Sequence, residues 1–266
     1  MSWQSANRFT PALPAIAGLV LGCTMTGPGA AQTSATTAKP DCPLADVGTG
    51  KVASVHDGRT LLLADGREVR LDGIEVPGSA DARERLAALA QGRQATLKAD
   101  VAALDRYGRV VAYVFIDGRL LQTELLTSGF AVVGGRLGSA ACAAALRGAE
   151  RGAREARRGL WANAGFRLQS AANPADILRE AGRFTVVRGK VLSVRESGAT
   201  IYVNFGRRWS DDFTVTILKR NRRLFSAAQI EPKSLEGRVI EVRGYVEQRS
   251  GPLIEASRPE QIEIVQ

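Results

Sequence analysis

The stretch Val55–Pro77, V-H-D-G-R-T-L-L-L-A-D-G-R-E-V-R-L-D-G-I-E-V-P, predicts the centre of a β-sheet. Its runs Arg59–Leu63 and Glu68–Ile74 are rich in the apolar residues of a buried strand. Between them stands Asp65-Gly66, a dipeptide typical of a two-residue hairpin turn. A further β-type run, Lys51–Val55, leads into the stretch. The sequence therefore predicts three consecutive strands joined by tight turns.

Helices and two more strands follow. The pattern predicts a helix over about Ala80–Gln91, strands over Gln94–Lys98 and Arg109–Phe115, and helices over Leu121–Ser128 and about Ala140–Arg158. Three strands, a helix, two strands and then helices are typical of a small closed barrel of the OB type with helices packed against it. The predicted fold class is mainly β with α (α+β), and the first domain is expected to span residues 48–165.

The rest of the chain predicts a second OB-like β-barrel over residues 184–266, after a linker over residues 166–183. The run G-K-V-A-S-V at Gly50–Val55 recurs as G-K-V-L-S-V at Gly189–Val194, and a turn and another β-type run follow each copy. Because both copies stand at the same place in each half, the repeat favours two related barrels. The strands of the second barrel are expected at Thr185–Arg195, Thr200–Phe205, Phe213–Leu218, Val239–Val246 and about Leu253–Ala256.

Residues 1–31 are predicted to be an export signal. Arg8 is the single charge before an apolar stretch, and the small residues up to Ala31 suit cleavage there. An alternative is that Cys23, in V-L-G-C, lies in a lipobox and carries a lipid anchor. Residues 32–47 are rich in Thr, Ala, Ser and Pro and predict a flexible tether. No stretch suits a transmembrane helix, so the protein is expected to be exported, periplasmic or secreted, or else a lipoprotein.

Charge and cysteine content point to the partner and the compartment. The chain has 36 Lys and Arg against 27 Asp and Glu, a net charge of +9 and a pI near 10.0. Such a balance suits nucleic acid or another polyanion, although solubility alone is the other explanation. Removal of the signal leaves Cys42 and Cys142, for which an oxidising compartment predicts a disulfide. The alternative is two unpaired, buried thiols.

Four motifs of the first half occur in a fixed order. They are V-H-D-G-R-T (Val55–Thr60), R-L-D-G-I-E-V-P (Arg70–Pro77), D-R-Y-G-R-V-V-A-Y (Asp105–Tyr113) and A-E…G-L-W (Ala149–Trp161). Together they resemble the staphylococcal nuclease, or thermonuclease, family over about residues 50–161. The resemblance implies an OB barrel that hydrolyses the phosphodiesters of DNA and RNA with calcium.

The resemblance carries over only part of that family's site. The two phosphate-binding arginines of the family match Arg70 and Arg109, whose planar guanidinium groups suit a phosphodiester transition state. One calcium-binding aspartate matches Glu75, and the other is replaced by Arg59, a cation that repels a metal. The water-activating glutamate is replaced by Gly78. The catalytic candidates are therefore Arg70, Glu75 and Arg109, no metal ligand set is predicted, and calcium is implied only if the family activity is retained.

Other side chains are candidates for nucleic-acid binding. Arg59, Arg106 and Tyr107 flank the two arginines of the first barrel. In the second barrel, Arg207-Arg208-Trp209 combines cations with an aromatic ring, which suits single-stranded nucleic acid on an OB face. Alternatively, Trp209 covers the mouth of that barrel.

The family's remaining features are lost or displaced. The two tyrosines that flank the nucleotide fall near Gly135 and Leu137, so that stacking is absent. Asp72, Asp81 and Glu84 are the nearest acids that would replace the missing carboxylates, although no spacing requires it.

Three functions remain open from the sequence. The first is an exported protein that binds nucleic acid or another phosphate polymer, as a degenerate nuclease without the family's calcium ligand and glutamate. The second is an active phosphodiesterase with an altered metal site. The third is a structural or interaction module of the cell envelope. The sequence leaves the oligomeric state open, and the acids around Arg70 and Arg109 are expected to discriminate between the first two functions.

Overall fold

The computed structural model describes residues 44–78, 80–137, 140–162, 166–208 and 210–265. The predicted export signal, the tether up to residue 43, Cys23, Cys42 and Trp209 lie outside the described residues. Lys39–Gln266 is one compact unit. In the part of the chain that the structure describes, no helix combines the length and apolarity needed to cross a membrane.

Among its described residues, the first half contains eight strands and three α-helices. They are β1 (Ala45–Asp57), β2 (Thr60–Leu63), β3 (Glu68–Leu71), β4 (Ile74–Glu75), α1 (Ala80–Ala90), β5 (Gln94–Ala99), β6 (Val110–Ile116), β7 (Arg119–Leu120), α2 (Leu121–Thr127), β8 (Val132–Val133) and α3 (Ala140–Glu155). Strand β1 already begins at Ala45, so the last residues of the predicted tether belong to the sheet instead. Their backbone pairs with β5, which fixes them.

The first sheet closes into a five-stranded barrel, which confirms the predicted OB type. The strand order is β3-β2-β1-β5-β6, and β3 also pairs with β6 in parallel. Alternate residues of the strands point inward, as Ala95, Leu97 and Ala99 do on β5. Helix α1 buries Ala82, Leu86 and Ala90, which recur on one face at helical spacing.

The described part of the second half contains eight strands and two α-helices. They are β9 (Gln169–Ser170), α4 (Pro174–Leu178), β10 (Phe184–Lys190), β11 (Ser193–Ser197), β12 (Thr200–Asn204), β13 (Thr214–Leu218), α5 (Arg222–Ala227), β14 (Val239–Arg249), β15 (Gly251–Glu255) and β16 (Ile262–Ile264). The stretch predicted as a linker, residues 166–183, thus contains β9 and α4, and β9 pairs with β10. The predicted strand Thr185–Arg195 is interrupted at Val191-Leu192 between β10 and β11.

The second sheet repeats the pairing scheme of the first. In the first barrel, β1 pairs with both β2 and β5, while β3 lies parallel to β6 and β6 pairs with β5. In the second, the run β10–β11 pairs with both β14 and β12, while β13 lies parallel to β15 and β15 pairs with β14. The sequence repeat falls on equivalent first strands of the two schemes, which explains why it recurs there.

Two hydrophobic cores are joined by buried charges. Arg243 of β14 and Glu150 of α3 are each 1% exposed, and Arg243 Nη1 donates to Glu150 Oε2 at 2.9 Å. The same Nη1 donates to the carbonyl of Val133 at 3.1 Å, and the Val133 N–H donates to Glu150 Oε2 at 2.7 Å. Val133 pairs with Ile74 of β4. The second barrel is therefore fixed against the strand that carries Glu75.

Candidate functional site

Three cavities share Glu75 as a lining residue at one end of the first barrel. One, of about 510 Å³, is lined by Arg70 and by the loop that carries Arg109. A cleft of about 700 Å³ lies between this barrel and residues of the second one. A third cavity, of about 590 Å³, is lined by Arg59 and by mainly apolar side chains. Residues far apart in the chain therefore converge on Glu75.

A tight turn between β1 and β2 places Arg59 beside Glu75. Asp57 Oδ1 accepts the backbone N–H of Arg59 at 2.8 Å, and Asp57 Oδ2 accepts the hydroxyl of Thr60 at 3.1 Å. Gly58 has to be glycine, because a Cβ at this position would lie 2.7 Å from Val76 Cγ1. The motif D-G-R-T therefore builds a turn, and its carboxylate serves the turn itself.

Glu75 is held on both of its carboxylate oxygens. Arg59 Nη1 forms an ion pair with Oε2, and Arg70 Nη2 lies 3.5 Å from Oε1. From the second barrel, the hydroxyl of Tyr245 donates to Oε2 at 3.1 Å. The side chain of Glu75 is 17% exposed. With two guanidinium groups and a phenol around it, Glu75 acts as the counter-ion of Arg59 and is not free to bind a metal or to take a proton from water.

Arg70 is held less tightly by its acid than Arg59 and Arg109 are, and so keeps capacity for a ligand. Burial lowers its pKa below the ordinary value, the charge of Arg59 lowers it further, and Glu75 opposes both effects. Because the ordinary pKa of an arginine lies far above neutrality, the group stays charged at neutral pH. Its contact with Glu75 is loose at 3.5 Å. An anion that enters the cavity would relieve the repulsion between Arg70 and Arg59.

Arg109 is fixed by the turn that precedes it. Its Nε donates to Asp105 Oδ2 at 2.8 Å, and its guanidinium lies 5.1 Å from the centre of the Tyr107 ring. Burial alone would raise the pKa of Asp105, but hydrogen bonds from Arg109 and Tyr107 outweigh it and lower that pKa. Arg106 packs on the same ring at 4.7 Å. Asp105 therefore stays ionised and orients Arg109 toward the cavity that both line.

Asp72 is the acid of this cavity that no side chain neutralises directly. Among the described residues, the only hydrogen bond to its carboxylate comes from the backbone N–H of Gly73, at 2.9 Å. Burial raises the pKa of Asp72, although the charges of Arg136, Arg70 and Arg258 act against the rise. Asp81 and Glu84, the other acids considered from the sequence, are exposed on α1 and line none of the three cavities.

The donor set does not fit the calcium ion that the nuclease resemblance implies. Calcium takes six to eight oxygen ligands, usually from several carboxylates. Here Glu75 is bound by Arg59 and Arg70, and Asp105 is bound by Arg109. Within the described ranges, no group of three or more His, Cys, Asp or Glu side chains is placed to hold a metal. We therefore derive no chemical step from a metal.

The predicted site residues of the first barrel come together, and those of the second do not join them. Arg70, Glu75, Arg106, Tyr107 and Arg109 line one cavity, and Arg59 reaches Glu75 from the neighbouring one. The predicted pair Arg207 and Arg208 is exposed, lines none of the three cavities and follows β12 in a loop. Arg208 lies 3.8 Å from Asp211, a solvent-exposed pair.

Sequence reasoning missed the residues that the second barrel contributes. Tyr245 reaches Glu75 from a strand 170 residues further along the chain. Arg258 acts on Asp72 through its charge, together with Arg136 of the first half. Their neighbours in sequence carry no motif, so they are recognised only once the two barrels are seen to face each other. The single indication in the sequence is Gly135, which stands where the resemblance expects a tyrosine.

The second barrel explains the glycine at position 135. A Cβ at Gly135 would lie 2.8 Å from the Cγ of Gln261, so a side chain there would clash with the C-terminal segment. Leu137 is buried in the first core and is 3% exposed. Neither position presents a ring to a ligand. The exposed rings near the site are instead Tyr107 and Tyr245, which are 66% and 51% exposed.

The predicted disulfide has one end in the described structure. Cys142 is buried on α3. Cys42 lies outside the described residues, so the pairing stays a prediction.

Comparison with known proteins places the first barrel among nuclease homologues. A family model described as staphylococcal nuclease homologue matches residues 68–163. A rice protein (Oryza sativa subsp. japonica) named "Probable staphylococcal-like nuclease CAN1" is 36% identical over 93 residues. That match covers 33% of this chain and 27% of the rice protein, so the chain spans about a quarter of the length of this curated relative. The matched region ends before the second sheet begins.

Proposed function

We propose that residues 68–163 form a staphylococcal nuclease-like domain and that this domain binds nucleic acid or another phosphate polymer without the calcium chemistry of its family. The observation that carries the proposal is the ion pair between Arg59 and Glu75. In this pair a guanidinium occupies the carboxylate that the family resemblance assigns to the metal. The positive charge beside Glu75 is thus supplied by the side chain of Arg59, where the family resemblance expects a metal ion.

The charges that line the site favour an anionic ligand. Arg70 and Arg109 enter one cavity of about 510 Å³. Their guanidinium groups present several N–H donors in a fixed fork, which matches the oxygens of a phosphate. Asp105, the carboxylate paired with Arg109, accepts a hydrogen bond from it and orients its guanidinium group. A phosphodiester in the cavity would therefore gain charge-assisted hydrogen bonds from both arginines, and the net positive charge of the chain would speed its approach.

Binding of a labelled single-stranded oligonucleotide across a salt series tests the proposal. We expect salt-dependent binding that persists in EDTA and does not require calcium, because the phosphate contacts release counterions. Arg70→Ala and Arg109→Ala should each weaken binding by roughly tenfold to a hundredfold, the range for hydrogen bonds to a charged group.

Arg93→Ala is the matched control. It removes the same charge from an arginine that is 54% exposed, pairs with Asp117 and lines none of the three cavities. We expect its effect to stay below roughly threefold. Equal losses in all three variants, or binding that appears only with calcium, would contradict the proposal. Absence of any binding, with co-purification of a protein partner at high salt, would favour an interaction module of the cell envelope.

The compartment is part of the proposal and rests on the sequence. Residues 1–31 carry the features of an export signal, which places the protein in the periplasm or outside the cell, or on a lipid anchor at Cys23. Mass determination of the mature N-terminus distinguishes cleavage after Ala31 from lipidation of Cys23.

A second candidate function is hydrolysis without a metal, and Asp72 is the observation that favours it. Its carboxylate lines the cavity with Arg70 and has a raised pKa, as a general base needs. Asp72 would take a proton from a water molecule, whose oxygen would bond to phosphorus as the bond to the leaving sugar oxygen breaks, and that oxygen would take a proton from solvent. Arg70 and Arg109 would stabilise the charge that develops on the phosphate.

A nuclease assay in EDTA separates the two functions. Under the hydrolytic alternative, Asp72→Asn abolishes cleavage and retains binding, and the wild-type rate rises as the pH passes the raised pKa of Asp72. Asp81→Asn removes an exposed acid from α1 and is the control that leaves cleavage intact. No cleavage by the wild-type chain at any pH would exclude this alternative.

A further inference from the structure

The cleft of about 700 Å³ continues the Arg70–Arg109 cavity toward the second barrel. The two share Glu75, Gly135 and Arg136 as lining residues. Its far wall is formed by the second barrel, including Arg220, which follows β13, and Arg258, which precedes β16. Gly135 lies where the cavity and the cleft meet, and a Cβ at this position would contact Gln261. Because glycine has no side chain, only backbone separates the cavity from the cleft at this point.

Three arginines of this cleft have no carboxylate partner among the described residues, whereas most of the arginines around them do. In the described part of the chain, no salt bridge involves Arg136, Arg220 or Arg258. Other arginines of the site and of the barrel interface are paired with acids, namely Arg59, Arg70, Arg109, Arg147, Arg154, Arg188, Arg222 and Arg243. The three cleft arginines therefore retain their full capacity for an external anion.

The acids of the same cleft are mostly engaged. Glu75 is held by Arg59 and Arg70, and Glu247 lies 3.1 Å from Arg249. Glu255 also lines the cleft, and no salt bridge is seen for it among the described residues. Three unpaired cations thus face one unpaired acid, which leaves a positive balance on the cleft wall.

An exposed aromatic ring lines the same cleft as these arginines. Tyr245 lines the cleft and is 51% exposed. Its position is fixed by an edge-to-face contact with Phe184 at 5.5 Å and by the hydrogen bond to Glu75 at 3.1 Å. A ring held at both ends in this way is a stacking surface for a base that is not paired with another strand.

We infer that the cleft between the barrels is an extended binding site for single-stranded nucleic acid. Successive phosphates contact Arg136, Arg258 and Arg220, and an unpaired base stacks on Tyr245. The inference rests on the proposed function, in which one phosphate of the same strand is held by Arg70 and Arg109. It assigns the second barrel the role of binding the neighbouring nucleotides of the strand. A duplex is disfavoured, because its bases are stacked on one another and do not present a face to Tyr245.

The test compares the full chain with its Arg220→Ala/Arg258→Ala variant on two ligands. One ligand is a labelled thymidine oligonucleotide of about twelve residues, long enough to span both the Arg70–Arg109 cavity and the cleft. The other is a dinucleotide. We expect the variant's affinity for the long ligand to fall by roughly tenfold or more. The loss of affinity for the dinucleotide should be several-fold smaller. The salt dependence for the long ligand should fall by about 1.4 in slope, since each single-strand phosphate contact contributes about 0.7.

Tyr245 is tested by a matched pair of variants. Tyr245→Phe removes the hydroxyl and keeps the ring, whereas Tyr245→Leu removes the ring. A role in stacking predicts that only Tyr245→Leu weakens binding of the long ligand, by roughly tenfold. Equal effects of the two variants would overturn the stacking role. Melting temperatures of all variants verify that each one is folded.

The outcomes separate this inference from the proposed function. Wild-type binding of both ligands, with no loss of the long one in the Arg220→Ala/Arg258→Ala variant, overturns the extended site and leaves the Arg70–Arg109 site standing. A duplex that competes as well as the single strand also overturns it. If the wild-type chain binds neither ligand, the proposed function itself fails and the extended site fails with it.

Discussion

Removal of Arg243 is expected to destabilise the protein far more than removal of a surface arginine. Arg243 and Glu150 are each 1% exposed and lie 2.9 Å apart. Arg243→Met keeps much of the volume and removes the charge, so Glu150 loses one buried partner and the carbonyl of Val133 loses a donor. Breaking a buried pair on one side costs about 3–5 kcal/mol in the free energy of unfolding.

Urea unfolding and calorimetry measure this cost. For a chain of this size each kcal/mol lowers Tm by about 2–4 °C, so we expect Arg243→Met to lower Tm by about 6–20 °C. The double variant Glu150→Gln/Arg243→Met should be less unstable than the sum of its single variants, by about 1–3 kcal/mol, because it leaves no full charge buried without its partner. Arg93→Met, at the exposed pair with Asp117, is the control and should cost less than about 1 kcal/mol.

The same variant should weaken ligand binding, although Arg243 does not touch the cavity. Glu150 accepts the N–H of Val133, and Val133 pairs with Ile74 beside Glu75. Loss of Arg243 would therefore loosen the strand that carries Glu75 and, with it, Arg59. Two results would refute the reasoning that this buried pair holds the two barrels together. One is a loss of unfolding free energy below about 1 kcal/mol in Arg243→Met. The other is a loss in the double variant that equals the sum of the two single variants.

Three further predictions concern the site and the N-terminal region. Arg59→Asp combined with Gly78→Glu restores the two acids of the family pattern and should create calcium-dependent cleavage of DNA. Calorimetric titration with calcium and a nuclease assay check this. A double variant that binds neither calcium nor DNA would contradict it. Gly78 has φ +81°, so its replacement should also cost about 1 kcal/mol, while a Cβ there meets nothing within 4 Å. Burial raises the pKa of Asp72 above its unfolded value, so the folded state loses stability as the pH rises through that pKa; Asp72→Asn should raise Tm at pH 7 and not at pH 3, and an equal shift at both would argue against it. Finally, thiol counts of the denatured mature protein should increase by two on reduction, the signature of a bond between Cys42 and Cys142.

Local turn chemistry and strand periodicity made the first barrel predictable. Asp65-Gly66 closes a hairpin, and Gly58 allows the close approach of Val76, so short-range geometry fixes the order of the strands. The convergence of Arg70 and Arg109 on one cavity was predictable as well. Arg70 stands at the end of β3 and Arg109 follows a turn held by Asp105, which are both local arrangements.

The state of the site required the tertiary structure. In sequence, Glu75 is the surviving carboxylate of a metal site and hence a catalytic candidate. In the fold, Arg59 crosses the barrel mouth to neutralise it, and Tyr245 reaches it from the second barrel. No periodicity links residues so far apart, because which charges become neighbours depends on how the strands and the two barrels pack.

The sequence by itself determined the resemblance of the first barrel to a nuclease family, the repeat that marks the second barrel, and the two arginines of the proposed phosphate site. The tertiary structure alone decided that the predicted cation pair Arg207 and Arg208 stays apart from the site, and that Arg136, Arg220 and Arg258 line the cleft beside it. The physical reason is the separation along the chain of the residues that interact. Turns and strands follow from interactions between near neighbours, whereas the balance of charge in a cavity is the sum over every side chain that packing brings within a few ångströms.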